Sequence, residues 1–185
     1  MKHAGTGYIE TPRLILRRFV PEDVGDMYRN WASDPDVTKY LTWPTHESED
    51  ISRMVLSDWV SHYSEENYYQ WAIVLKELGE SIGSIAVVNM HERVGKAEVG
   101  YCMGRAWWHK GFMTEALSAV IDFLLKEVGV NRIEACYDPR NPHSGDVMRK
   151  CGMQYEGTQR QAGFNNQGIC DMSWYAILAG DRREC

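Results

Sequence analysis

Apolar positions fall into two rhythms along this chain. Leu117, Val120, Ile121, Leu124 and Val128 stand one helical turn apart, the stripe of a helix with one buried face. Gly129 follows as its stop. A second helical stretch opens at Pro21-Glu22-Asp23 and shows Val24, Met27 and Trp31 on one face, with Pro21 in the first turn where a missing N–H costs nothing. Ser33-Asp34-Pro35 reads as its end. After the Thr42-Trp43-Pro44-Thr45-His46 loop, Ser48 and Asp50 lead into a helix on which Ile51, Val55, Trp59 and His62 lie roughly one turn apart.

Elsewhere the rhythm is that of strands. Arg13–Phe19 reads as the first strand. Tyr69–Leu75 and Ser81–Val88 form a hairpin across Glu77-Leu78-Gly79-Glu80. In Lys96–Gly104, Ala97, Val99, Tyr101 and Met103 share one face, and Glu98, Gly100 and Cys102 the other. Asn131–Tyr137 is a strand. Asn141 starts a short helix ending at Cys151-Gly152, and strands around 155–161 and 170–178 flank the Asn165-Asn166-Gln167-Gly168 turn. The order is βααβββαβαββ, with a strand–helix–strand unit (97–137) inside an otherwise antiparallel run. The expectation is one α+β domain over residues 1–185, with a mostly antiparallel sheet, a central parallel pair and flanking helices.

Composition fits a packed globule: 44% of the 185 residues are hydrophobic. No apolar run is long enough to span a bilayer, and Met1–Gly7 lacks a signal core, so an intracellular (cytoplasmic) protein with no membrane partner is expected. A net charge of −6 disfavours nucleic acid. Cys102, Cys136, Cys151, Cys170 and Cys185 are odd in number and widely spaced; reduced thiols are expected, with no disulfide framework and no metal site.

The densest chemistry lies at Arg105-Ala106-Trp107-Trp108-His109-Lys110-Gly111-Phe112-Met113-Thr114-Glu115. Arg105, His109 and Lys110 make it basic with no acid before Glu115. A glycine turn entering a helix aims partnerless N–H groups outward, which suits a phosphate; solvated basic residues at an ordinary helix start would look the same. The P-loop and the dinucleotide turn are both absent. In the preceding strand, Gly100 and Gly104 weaken regular pairing, which would leave main-chain groups for an extended amide-bearing ligand. Asn141-Pro142-His143-Ser144 reads equally as a helix cap or as an amide and a hydroxyl facing that ligand.

In order and spacing these pieces resemble the GNAT superfamily of acyl-CoA-dependent N-acyltransferases, and within it the branch that acetylates ribosomal-protein N-termini. The resemblance runs from about Glu10 to Leu178. Its carriers are Glu10-Thr11-Pro12-Arg13-Leu14-Ile15-Leu16-Arg17, Ala97–Tyr101, Trp107–Ala116, Asn131–Ala135, Asn141–Ser144, Lys150–Met153 and Tyr155-Glu156-Gly157. It implies acetyl-CoA as co-substrate, with the backbones of Tyr101, Cys102 and Met103, the turn Trp108, His109, Lys110, Gly111, Phe112, Met113, Thr114, and Asn141 and Ser144 as its binding residues. A homodimer is a further implication.

Two features depart from the family pattern. In the usual [Q/R]-x-x-G-x-[G/A] turn the first place holds Trp108 and the last Met113, whose bulk requires it to point away from the phosphates. Some relatives carry a catalytic glutamate where this chain has Gly163. The reaction implied is direct attack of an amine on the thioester. Main-chain N–H groups of residues 101 to 103 would polarise the carbonyl, Ser144 would serve the departing sulfur, and Glu98 would take the amine proton through water. His46 and Trp43 are the candidate acceptor contacts. Trp31, Trp59 and Tyr40 are further aromatic candidates, and His91 and His143 further titratable ones. The acceptor would be a peptide N-terminus or a small amine; the competing reading is a non-catalytic acyl-CoA-binding module.

Overall fold

A computed structural model describes residues 1–182; Cys185 lies outside them. The strands are β1 (Ile9–Glu10), β2 (Leu14–Arg17), β3 (Gln70–Leu75), β4 (Glu80–His91), β5 (Lys96–Met103), β6 (Arg132–Tyr137), β7 (Gln154–Asn165) and β8 (Gly168–Leu178). They form a sheet in the order β1-β2-β3-β4-β5-β6-β8-β7. All neighbours are antiparallel except β5 and β6. The helices are α1 (Val24–Met27), α2 (Pro35–Thr38), α3 (Glu49–Ser61), α4 (Phe112–Phe123) and α5 (Pro142–Lys150). Tyr28–Ala32 and Leu124–Val128 continue α1 and α4 as wider π turns.

Alternation along the strands sends apolar side chains to both faces. Trp71, Ile73, Ile85, Val99 and Ile133 pack with Leu117, Val120 and Ile121 of α4 and Met148 of α5. On the opposite face Ala72 and Val74 pack with Phe19, Met27, Trp31 and Leu56. The sheet therefore lies between α4–α5 and the α1–α3 segment, and β3, buried on both sides, reads as an apolar run from Trp71 to Leu75.

The feature that makes a site is a failure of pairing. β5 pairs with β6 only from Lys96↔Arg132 to Glu98↔Glu134, although the strands run on to Met103 and Tyr137. Glu134, buried, accepts Lys96 Nζ at 2.7 Å and Arg132 Nε at 3.0 Å, and Arg132 reaches on to Glu156 of β7. This ladder pins the strands where they still touch; beyond it they diverge.

Local differences from the sequence expectations have local causes. Ser33 closes the first helical stretch, but Asp34 Oδ1 accepts the Asp36 N–H at 2.9 Å and Pro35 takes the first turn, so the same tripeptide also starts α2. The last two strands are longer than expected, because bulges between Gln159 and Gly163 carry pairing through a largely exposed hairpin.

Candidate active site

The splay opens into a cleft of about 1030 Å³ running between the two sheet faces. One wall is the turn before α4. Trp108 anchors it by donating Nε1–H to the Met103 carbonyl at 2.7 Å. His109 and Gly111 have φ of 60° and 78°, the left-handed region that glycine enters freely and histidine at a cost. Gly111, at the N-cap, brings no side chain to the helix start, so the first-turn N–H groups from Phe112 to Thr114 face the cleft with the positive end of the helix behind them. Met113 is 8% exposed, packs in the core and also lines the cleft. Lys110 and His109 are exposed at the rim.

The sequence reading missed what braces this turn. Glu115 accepts Thr11 Oγ1, the Arg13 N–H and Arg13 Nε at 2.7, 2.9 and 2.6 Å. Arg13 in turn donates to the Lys110 carbonyl at 2.9 Å and lies over the Phe112 ring. Arg105 is not part of the basic turn: its guanidinium pairs with Asp34 and Asp36 at 3.1 and 2.7 Å. Lys110 is the cationic side chain left on the turn itself, with the Arg13 guanidinium behind it.

The second wall is the start of α5. Asn141 occupies the N-cap position, but its side chain makes no cap bond and lines the cleft. His143 meets His109 edge-on with ring centroids 4.6 Å apart, joining the two walls. Ser144 and Tyr101 bond reciprocally: Ser144 Oγ donates to the Tyr101 phenol oxygen at 3.2 Å, and that phenol donates to the Ser144 carbonyl at 3.0 Å. Burial drives the Tyr101 phenol well above its ordinary pKa, so it is a neutral donor. Gly145 lets α5 come this close, since a Cβ there would stand 2.5 Å from Tyr137 Cζ.

The floor is the unpaired edge of β5. Gly104 donates its N–H to the Ile82 carbonyl, and Cys102 pairs with Ser84 of β4. Main-chain groups alternate sides along a strand, so Cys102 is committed to β4, while Tyr101 and Met103 turn theirs into the splay. The expected carbonyl-polarising set of residues 101 to 103 thus narrows to Tyr101 and Met103.

Glu98 lies on the opposite face from Tyr101, half-buried at the last paired position. Burial, and then the charge of Glu134, raise its pKa above the ordinary carboxylate value, against a thiol hydrogen bond from Cys136. The Cys136 thiol is itself pushed up to about 12, by burial first and by Glu98 second.

On that face the cleft continues past Trp43, Trp59 and Tyr40. His46 stands apart. It is 5% exposed, hydrogen-bonded to Ser52 at 2.8 Å, its pKa lowered by burial, and tilted against Trp43 at 5.3 Å between centroids, so it supports the loop without reaching the cleft. Trp31 is wholly buried, and His91 is exposed away from the cleft at the end of β4. At Gly163 the Met172 sulfur fills the space a side chain would need. Asp138, missed in the sequence, is buried beside the cleft, with Arg140 forked onto its carboxylate and Asn165 donating at 2.8 Å; these bonds, Arg140's first, hold its pKa down at about 2.

The model of the acetyltransferase (GNAT) domain matches residues 13–154. The chain belongs to the GNAT acetyltransferase family. It is 31% identical over 172 residues to the uncharacterised N-acetyltransferase p20 of Bacillus licheniformis, covering 91% of this chain and 94% of p20. A GNAT-family acetyltransferase from Bacillus anthracis superposes with a TM-score of 0.83 at 25% identity, over 94% of this chain and 99% of that one. RimL, a ribosomal-protein α-N-acetyltransferase solved with coenzyme A, superposes with a TM-score of 0.82 at 19% identity, over 93% and 98% of the two chains. This GNAT chain is an acyl-CoA-dependent acetyltransferase, and the resemblance read from its motifs extends to the three-dimensional fold. Among the described residues no helix is long and apolar enough to cross a membrane.

Proposed function

We propose that this acetyltransferase moves an acetyl group from acetyl-CoA to a primary amine, a peptide N-terminus or a small molecule, by direct attack on the thioester. The observation carrying this reading is the β5–β6 splay, which opens at one end onto the uncapped start of α4 and at the other beside Glu98. The pyrophosphate sits on the N–H groups of the Gly111 turn. The pantetheine arm runs along the β5 edge, with Asn141 orienting it.

The amine approaches from the Glu98 face and attacks the acetyl carbon while the N–H groups of Tyr101 and Met103 hold the developing oxyanion. The amine proton passes through water to Glu98. As the carbon–sulfur bond breaks, the Ser144 hydroxyl hydrogen-bonds the departing sulfur and relays to it a proton from water, taking the water's proton as it gives up its own. An α-amine, with a pKa of about 7.7–8.0, needs only modest help to lose its proton.

At about a hundredfold excess over Kd, coenzyme A should stabilise the fold by about 2.7 kcal/mol, a melting-temperature rise of roughly 5–10 °C. Thiol release from acetyl-CoA with a panel of N-terminal peptides and small amines should show turnover. Activity should rise with pH through a pKa above the ordinary carboxylate range, and Glu98→Gln should remove that limb. No melting shift at millimolar coenzyme A would refute the cofactor site; an unchanged limb in the variant would remove Glu98 from the mechanism.

A further inference from the structure

Gln70 is the first residue of β3 and only 7% exposed. Its main chain is fully used: its N–H donates to Thr6 Oγ1 at 3.0 Å and its carbonyl accepts the Tyr63 hydroxyl at 2.8 Å. Among the described residues, no hydrogen bond reaches its side-chain amide. Buried amides are nearly always paired, and leaving one unpaired costs stability. This one is not sealed in the protein, and the residue lines the cleft.

Strand register shows what lies between it and the reaction centre. Gln70 stands opposite Ala86, and Ala86 opposite Gly100. Cross-strand partners share a face, so this row forms a trough floored by the Ala86 methyl, with Val88 Cγ1 leaning over Gly100, 3.0 Å from where a Cβ would stand. It starts beside Glu98, the neighbour but one of Gly100, and ends at the amide. Two strand spacings make it about 10 Å long. Trp43 and Trp59 line the cleft from the side of the α1–α3 segment. None of the charged residues lining the cleft belongs to β3, β4 or α3, and Glu98 of β5 stands at the near end of the row. The far end is therefore uncharged, and the burial of Gln70 closes it.

We infer that this trough is the acceptor subsite, and that the acceptor is a small primary amine with a flat apolar middle and an uncharged hydrogen-bonding group at its far end, read by Gln70. The inference rests on the amine-acetylation reading above and goes further by naming the acceptor class. A closed end accepts a terminal group; it does not pass a continuing peptide main chain.

Tyramine and phenethylamine are matched probes, differing only in the distal hydroxyl. Wild-type kcat/KM should favour tyramine about tenfold, the worth of one net hydrogen bond. Gln70→Leu should erase that preference while keeping phenethylamine turnover and the coenzyme A melting shift. Because leucine removes an unpaired amide at similar volume, the variant should melt no lower than wild type. Gln70→Met serves as a second apolar replacement. Tryptophan fluorescence titration with each amine in the presence of coenzyme A reads the same preference without turnover.

Equal preference in wild type and both variants, or no binding of either amine, would overturn the Gln70 subsite. If coenzyme A binds and other amines are acetylated, that failure belongs to the subsite alone. If coenzyme A does not bind and no amine releases thiol, the transferase reading fails with it.

Discussion

Replacing Glu115 with alanine should loosen the Gly111 turn and the start of β2 together. The carboxylate gathers hydrogen bonds from Thr11 Oγ1, the Arg13 N–H and Arg13 Nε, and its side chain is 17% exposed against 46% for Arg13. At roughly 0.5–1.5 kcal/mol net for each bond, with the guanidinium end discounted for solvent screening, the loss comes to about 2–3 kcal/mol. That is about 4–12 °C in melting temperature for a chain of this size. The sign with pH follows from the site. Burial pushes the Glu115 carboxyl up, but the bonds from Thr11 and Arg13 prevail and hold its pKa below the ordinary value. Its contribution is therefore full above its unfolded pKa of about 4.3 and fades as pH falls through the lower folded value. Thermal melts of wild type and variant at pH 7 and below pH 4 should show the gap closing in acid. Since Arg13 also holds the Lys110 carbonyl, the coenzyme A-induced rise should shrink in the variant. A gap that is absent at pH 7, or unchanged in acid, would refute the bracing role.

Ser144→Ala should lower kcat by about 10²-fold or more, in the range of lost acid catalysis, with little change in coenzyme A affinity. Because its hydroxyl and the Tyr101 phenol bond each other, adding Tyr101→Phe should cost less than the two single effects combined, which steady-state kinetics of the double variant would decide. Asp138→Asn should destabilise the protein by about 1–2 kcal/mol at pH 7, since the Arg140 fork holds the Asp138 pKa at about 2. That stabilisation is lost as pH falls from about 4 toward 2, so urea midpoints of the two proteins should converge in acid.

The sequence made the long-range plan legible wherever burial was one-sided. The stripe from Leu117 to Val128 and the alternation from Ala97 to Met103 both follow the packing they reach. The glycine turn before α4 was legible because a helix start advertises its free N–H groups. Less visible were residues whose partners are distant in the chain. Glu115 finds Thr11 and Arg13 across 104 and 102 residues, and nothing local distinguishes it from any acid in a first helical turn. Arg105 looked like part of a basic turn, but its charge answers to Asp34 and Asp36. His46 sits beside Trp43 in the chain, yet the loop folds its ring inward to Ser52. Gln70 carried no signal at all: its meaning lies in the small residues opposite it on two other strands. The two-residue strand Ile9–Glu10 was too short to show alternation.

Sheets usually keep their unsatisfied backbone at the outer margins, where charge and bulges guard it. This one carries such a margin in its middle, along the stretches of β5 and β6 that part company after Glu98 and Glu134. An open strand margin invites any passing extended chain. In the proposed complex the pantetheine arm becomes the absent strand. Starved of coenzyme A, the protein should then be more prone to self-association, and the supply of its co-substrate would keep it solvated as well as at work.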